Sequence, residues 1–347
     1  MKTWRTGKVT SLFISNSNTG GGAEKTVQLL VHQLRSLSHP CFNISINSDN
    51  YSDANYITQS IGIGREKNRN LFCQIYYLLK FQKILFLHQP SNLIVNCELP
   101  ELYTALTIHK CNIFIVEHTP NPWQFAPRFG RLIRKILVMR KCVWIKVNSN
   151  FDIWSLKNIK SLSTKNPIEE PKFQLQNSLG KIERLVFIGR LSLEKNPEEF
   201  LKIVEMSEKP ALVIGDGPLR GYLQIKYQND NLEFLGYSLE PWKEIRDGDL
   251  IVITSNWESD CLVAIEAAIN NVPFCILHNE YTKNLEFEEH HFFQDSCELA
   301  SSIRNGIQKI DYLSSKKFRN KILKERNLES LGKDWLRILE RSEFEDN

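Results

Sequence analysis

Short apolar runs alternate with stretches of helical periodicity along the first half of the chain. The runs are VTSLFIS, CFNISIN, NLIVN, NIFIVEH and VWIKVNS. Helical patterns separate them, starting at Ala23, near residues 69 to 87, from about Glu101, and in the basic segment that follows NIFIVEH. Strands alternating with helices predict a parallel, doubly wound sheet. From Ser161 to Ile182 the pattern dissolves into SLSTKNPIEEPKFQLQNSLGKI, rich in Pro, Lys, Glu and Ser, as a connection between domains is. A second alternation follows: RLVFIGR, a helix from Pro197, ALVIGDG, a helix from about Leu219, LEFLGY, a helix near Trp242, DLIVITS, a helix from about Cys261, and PFCIL. The expectation is therefore α/β, with a Rossmann-like domain over residues 1–165 and a second over 166–325. Ligands of open α/β sheets bind outside the carboxyl ends of the strands, so the loops after strands are where chemistry should sit.

Composition narrows the classes. A chain of 347 residues, 42% hydrophobic and 24% charged, has ordinary globular content for two cores. The N-terminal MKTWRTGKVTSLFISNS has only a short apolar run and no cleavage-like site, which fits a first strand rather than a signal peptide. LFCQIYYLLKFQKILFLH is interrupted by Lys80 and Lys83, too short and polar to span a membrane comfortably, and reads as a surface helix. Eight cysteines without Cys-x-x-Cys spacing suggest neither a disulfide framework nor a zinc site, and imply reduced, mostly buried thiols in a cytoplasm. His290 and His291 are adjacent, point to different faces, and are expected as a surface pair without a metal.

The net charge of +4 is modest, and no basic-aromatic repeat suggests nucleic-acid binding. Its distribution is more informative. Between Glu117 and Asp152 there is no acidic residue, while Arg128, Arg131, Arg134, Lys135, Arg140, Lys141 and Lys146 interleave with Phe129, Leu132, Ile133, Ile136, Leu137 and Val138. That pattern is a basic amphipathic helix. It suits an anionic membrane surface, or equally a solvated face packed by its apolar side.

The segment NTGGGAEKT, Asn18 to Thr26, opens onto the helical VQLLVHQLRSL. Glycines allow close backbone approach and a helix N-terminus favours anions, so phosphate is the default ligand. A triphosphate P-loop needs Gly directly before Lys-Ser/Thr, but Glu24 precedes Lys25 and Thr26. A dinucleotide fingerprint needs a third Gly where Lys25 stands. A tight turn with no ligand also fits. In the second domain, RLSLEKNPEEF places Arg190 and Lys195 in a strand-to-helix loop, with Asn196 as candidate N-cap and Pro197 first in the helix. Two cations beside a helix start suit a diphosphate, and a solvated surface loop is the alternative. In NWESDCLVAIEAAINNVPFCI, Glu258 and Glu266 on one helix would stand about 80° and about 12 Å apart. Glu258 is therefore expected in the loop and Glu266 within the helix. Ser259 or Asp260 is expected to cap it, leaving N–H groups near Cys261 and Leu262 for an anion or sugar hydroxyl.

These residues together resemble the retaining glycosyltransferases of family 4, which have the two-domain GT-B fold. The resemblance runs through GGGAEK, EHTP, KNPI, FIGRLSLEKNPE, LVIGDGPLR, LEFLGY and the Glu-x7-Glu pair of ESDCLVAIEA. It implies two Rossmann-like domains facing across a cleft, and a C-terminal helix over residues 326–347 crossing back to the first. In that segment Leu328, Leu331, Trp335 and Ile338 have helical spacing, which a plain amphipathic end helix would share. The resemblance gives catalytic roles to His118, Arg190, Lys195 and Glu258. Arg190 and Lys195 would neutralise the departing diphosphate, Glu258 would contact the transferred sugar, and His118 would lie near its 6-hydroxyl or the reaction centre. Gly20, Gly21, Gly22, Gly215, Tyr237, Cys261, Leu262, Val263 and Glu266 would surround the nucleotide sugar, with Glu266 on the ribose hydroxyls.

The chain departs from the family at Ser259 and Cys261, where Gly and Gly or Pro are usual, and side chains there would narrow the sugar pocket. His118 lies in EHTP rather than in the commoner His-Asp pairing. The expectation is a metal-independent retaining enzyme with no cofactor beyond a UDP- or GDP-linked sugar donor, moving a hexose or N-acetylhexosamine. Its acceptor would be a glycan or lipid-linked glycan of a surface polysaccharide, lipopolysaccharide or capsule. The enzyme would be cytoplasmic, peripheral at the inner face of the plasma membrane through the helix around Arg131. The alternatives are a nucleotide-sugar epimerase or hydrolase, and a non-catalytic sugar-nucleotide-binding protein.

Overall fold

Two parallel sheets organise the chain, a computed structural model that describes residues 10–17, 21–47, 61–62, 70–157, 159, 161–171, 181–306 and 316–340. They belong to two compact units. One comprises residues up to Glu169 together with those from Arg326 onward, and the other runs from Glu170 to Glu325.

In the first unit the order is β1 (Ser11–Ser15), α1 (Gly22–Ser36), β2 (Cys41–Ser45), β3 (Ile61–Gly62), α2 (Leu71–His88), β4 (Asn92–Asn96), α3 (Glu98–Leu106), β5 (Asn112–Glu117), α4 (Pro127–Met139), β6 (Val143–Lys146) and β7 (Ser161–Ser163). The parallel sheet runs β3-β2-β1-β4-β5-β6-β7. Every residue of β1 and β4 is buried, which is why these strands read as unbroken apolar runs. Their polar ends are satisfied internally: Asn96 Nδ2 donates to Ile14 O at 3.2 Å.

In the second unit the order is β8 (Arg184–Ile188), α5 (Pro197–Ser207), β9 (Ala211–Ile214), α6 (Arg220–Lys226), β10 (Leu232–Gly236), β11 (Asp249–Ile253), α7 (Leu262–Ile269), β12 (Phe274–Leu277), β13 (Phe292–Phe293), α8 (Ser296–Arg304) and α9 (Lys316–Glu325). Its parallel sheet runs β10-β9-β8-β11-β12-β13. The helix expected near Trp242 is a single 3-10 turn, Pro241–Glu244. The final helix, α10 (Leu328–Glu340), belongs to the first unit.

Helices cover both faces of the first sheet. On one face α2, α3 and α4 lie over Leu12, Ile14, Leu93, Val95 and Ile115. On the other, α1 and α10 cover Phe13, Ile94, Phe114 and Ile145. Trp335 of α10 is buried, with its ring 6.2 Å from Phe13. In the second unit α5 and α8 pack on one face of the sheet around Phe200. On the other face His291 is fully buried and stacked on Phe274 at 4.2 Å, with its Nδ1 3.2 Å from Glu288 O. The expected surface pair is corrected there: His291 is a core aromatic, flanked also by Phe287 and Phe318. The His290 side chain lies outside the described residues. All eight cysteines are free thiols; Cys41, Cys261 and Cys275 are buried, four are intermediate, and Cys297 is exposed.

Candidate functional site

Each sheet reverses its order once, between β1 and β4 in the first unit and between β8 and β11 in the second. Loops leaving neighbouring strands at such a point diverge and open a crevice at the carboxyl ends. The loop after β8 carries Arg190 to Asn196, and the loop after β11 carries Thr254 to Cys261. The two loops are laced by hydrogen bonds onto backbone carbonyls of the first. Asn256 N donates to Glu194 O at 2.8 Å, Asn256 Nδ2 to Leu193 O at 2.7 Å, and Thr254 Oγ1 to Asn196 O at 2.9 Å.

This lacing brings two of the expected residues into direct contact. Lys195 Nζ lies 2.6 Å from Glu258 Oε1, and the Ser255 hydroxyl donates to the same oxygen at 2.7 Å. Glu194 Oε1 stands 3.6 Å from the same ammonium. Burial alone would lower the Lys195 pKa, but the Glu258 and Glu194 charges outweigh it and hold the group above its ordinary value. Lys195 is thus a fixed cation. Desolvation pushes the Glu194 carboxyl upward against the pull of Lys195. Arg190 is exposed at the start of the same loop.

The remaining donor-side residues fall along the same sheet edge. Gly215 follows β9 with φ of 143°, and a Cβ there would fall into the carbonyl of Gly189, so only glycine lets these loops meet. Tyr237 follows β10 and is exposed. Glu266 lies inside α7 as expected, accepting a hydrogen bond from Trp242 Nε1 at 3.0 Å. Neither Ser259 nor Asp260 caps α7. Cys261 occupies the N-cap position in the left-handed region, φ 51°, with no side-chain hydrogen bond to the helix. The helix therefore starts at Leu262, and Leu262 and Val263 present first-turn N–H groups that have no place in the helical ladder. Desolvation, reinforced by Glu258, keeps the Cys261 thiol well above its usual pKa and hence neutral. Asn196 does hold the N-cap position of α5, but its side chain turns to Asn256 Oδ1 at 3.3 Å instead of capping.

In the first unit, Gly21 is the N-cap of α1 and Gly22 its first residue; Gly20 lies outside the described residues. The Glu24 carboxylate folds back over Gly21, where any Cβ would collide with it. A carboxylate at that third helical position suits the N-terminal partial charge. His118 follows β5, and its Nε2 lies 2.8 Å from Asn96 Oδ1. That oxygen only accepts, so Nε2 carries the proton and Nδ1 the lone pair. Desolvation lowers the His118 pKa to about 4, leaving a neutral imidazole that can hydrogen-bond but supplies no fixed charge. His118 also borders a small cavity with Thr26, Asn96, Thr164, Asn166 and Trp335.

One correction concerns α4. Arg134 is buried rather than displayed on a basic face, because Glu101 and Glu117 both reach it. Its guanidinium contacts Glu101 Oε1 at 2.6 Å and Glu117 Oε2 at 2.9 Å, and lies over the rings of Trp144 and Trp154. Trp123 Nε1 donates to Glu101 Oε2 at 2.8 Å. Sequence reasoning passed over this cluster, as it did Ser255, Asn256 and Trp242. For Arg134 the available signal was its helical spacing from Gly130, Ile133 and Leu137, which lie on the buried stripe. Among the described residues no group of three or more His, Cys, Asp or Glu is arranged to hold a metal.

Residues 169–326 match the profile of the family described as Glycosyl transferases group 1. Among curated proteins, the poly(ribitol-phosphate) alpha-N-acetylglucosaminyltransferase of Staphylococcus aureus is 25% identical over 304 residues. The match takes in 79% of this chain but 59% of that protein, so the chain spans less than two thirds of its relative's length. Anabaena HepE, solved with UDP and glucose, superposes with a TM-score of 0.81 at 14% identity, covering 96% of this chain and 100% of HepE. A Staphylococcus aureus TarM variant, solved with fondaparinux, alpha-GlcNAc-glycerol and UDP, gives 0.71 at 13% identity, covering 95% and 100%. WaaG, a glycosyltransferase involved in lipopolysaccharide biosynthesis, gives 0.65 at 11%, covering 95% and 99%. At such identities the likeness is one of fold. The chain has the GT-B fold of two parallel α/β sheets, and its second unit carries the match to Glycosyl transferases group 1.

Proposed function

We propose that this chain is a glycosyltransferase that takes a sugar from a nucleoside-diphosphate donor and passes it to a glycan acceptor of a cell-surface polymer. The observation that carries the reading is the contact of Lys195 with Glu258 at the sheet's switch point, inside the segment that matches the group 1 family. In this reading Lys195, with Arg190 beside it, stabilises the negative charge that grows on the diphosphate as the glycosidic bond breaks. Glu258, steadied by Ser255, turns its second oxygen to the transferred sugar. Glu266, steadied by Trp242, takes the ribose, and the first-turn N–H groups of Leu262 and Val263 take phosphate or hydroxyl oxygens. His118 serves as a neutral hydrogen-bonding group near the sugar.

The finer assignments belong to the same proposal. The donor is UDP-linked, as in the ligands of HepE, and the sugar a hexose or N-acetylhexosamine, transferred with retention and with protein cations in place of a metal. The acceptor is a lipid-linked glycan presented at an anionic membrane surface, which the basic helix α4 contacts. The test is a thermal-shift screen against UDP, GDP, ADP, CMP and their sugar conjugates, with Glu266→Ala and Arg190→Ala alongside. Selective stabilisation by one nucleotide, lost in both variants, is the expected result; no stabilisation by any nucleotide overturns the reading.

A further inference from the structure

Helix α2 carries an apolar stripe that points away from the sheet. Its inward face is Tyr77, Phe81, Ile84 and Leu85. Phe72, Tyr76, Leu79, Lys83 and Phe86, spaced i, i+4, i+7, i+11 and i+14, are all exposed, Phe72 by 79% and Phe86 by 73%. The same spacing recurs on α4. There Ile133, Arg134 and Leu137 face the sheet, and Arg128, Leu132, Lys135 and Met139 are exposed. The two helices share one layer, with α3 between them. Phe81 and Tyr103 rings lie 6.0 Å apart, Gln82 exchanges two hydrogen bonds with the Ile108 backbone, and Arg140 donates to Thr104 O at 2.7 Å. Ile108, between the two stripes, is 82% exposed.

Charge on this layer is strongly one-sided. Neither α2 nor α4 contains a carboxylate, and of the two in α3, Glu101 is buried on Arg134, leaving Glu98. Lys83, Lys110, Arg128, Arg131, Lys135 and Lys141 are exposed. Large exposed aromatics interleaved with unbalanced cations fit a surface that is apolar a few ångströms down and anionic at its boundary. A second copy of this face would oppose cation to cation, so charge complementarity selects lipid. No described helix is long and apolar enough to cross a membrane.

We infer that the α2–α4 layer is a single docking face for an anionic lipid surface, in which the aromatic stripe of α2 enters the headgroup boundary and the cations of α4 and Lys83 hold it there. The inference rests on the membrane reading of α4 and extends it to the element that does the inserting. It is tested on the full chain by co-sedimentation with vesicles of phosphatidylglycerol and phosphatidylcholine, against phosphatidylcholine alone. Each added cation near such a surface strengthens binding by roughly fivefold, so reversing two of them is expected to weaken it by far more than tenfold. The variants are Phe72→Ser with Phe86→Ser on α2, and Arg128→Glu with Lys135→Glu on α4. All four positions are exposed, and matched thermal melts confirm that the variants fold.

The expected result is binding to anionic vesicles alone, lost in both variants. Unchanged binding by the α2 variant overturns the inference, as does equal binding to neutral vesicles. Self-association that the α2 variant abolishes, without vesicle binding, overturns it in favour of a second copy. A UDP thermal shift measured on the same samples separates this outcome from failure of the glycosyltransferase reading.

Discussion

Lys195 is held by two carboxylates before any substrate arrives, so its charge is set by the loop and not by the ligand. A preorganised cation of this kind acts without reorganising as charge develops, and its loss should cost about a hundredfold to a thousandfold in kcat. Steady-state kinetics of Lys195→Ala against the wild type checks this, with donor affinity followed by thermal shift. Arg134 answers a different need. Removing it leaves the Glu101 carboxylate buried without its cation and Glu117 without its donor, and Arg134→Met should destabilise the protein by about 3–5 kcal/mol in urea unfolding. That result would set it apart from Arg128 and Arg131, whose exposed side chains should be replaceable at little cost to stability. Charge alone does not distinguish these arginines in the sequence. Only the position of Arg134 on the same stripe as Ile133 and Leu137 does so, and a stripe residue with a full charge demands a partner from elsewhere in the chain.

Among the elements, α10 depends wholly on tertiary contact. Trp335 and Leu339 are buried against α1 and the sheet, and Gly332 is required because a Cβ there would meet Gln33 Cγ at 2.6 Å. Trp335→Ala should therefore cost about 3–5 kcal/mol in chemical denaturation. The spacing of Leu331 and Trp335 was legible in the sequence; that the helix breaks at Arg326 and that α9 belongs to the other unit were not, because amphipathic periodicity says nothing of which core it faces. The long central strands were legible for a physical reason, since burial on both faces leaves unbroken apolar runs. The edge strands β3, β7 and β13 are two or three residues long and exist only through pairing, which no local pattern records. At the site, chemistry-bearing residues could be read from their loops. Asn256 could not, because its contribution is hydrogen bonds to a loop some sixty residues away, and Ser255 could not, because only the folded bend of the loop turns its hydroxyl onto Glu258.

For the whole molecule, two buried groups, among others, contribute to stability against pH in opposite senses. The His118 pKa falls from 6.5 to about 4 on folding, so its contribution is present above 6.5 and is lost as pH drops through 4. Glu117 is raised from 4.5 to about 8 by desolvation, with Glu101 opposing the pull of Arg134; its contribution is present below 4.5 and is lost as pH rises through 8. Between 4.5 and 6.5 the two slopes cancel. The Glu117 contribution should then fall by about 1–2 kcal/mol from pH 6.5 to 8, so stability should decline less steeply in Glu117→Gln than in the wild type in urea titrations at the two pH values.

The return of α10 to the first unit also bears on the order in which the protein is made. A ribosome releases residues 10–169 long before Trp335 exists, so this face of the first sheet has α1 but not α10 over it while the whole second unit emerges. The unit that is synthesised first is completed last, and any stall before residue 328 leaves Phe13, Val27 and Leu30 open to chaperones or to aggregation.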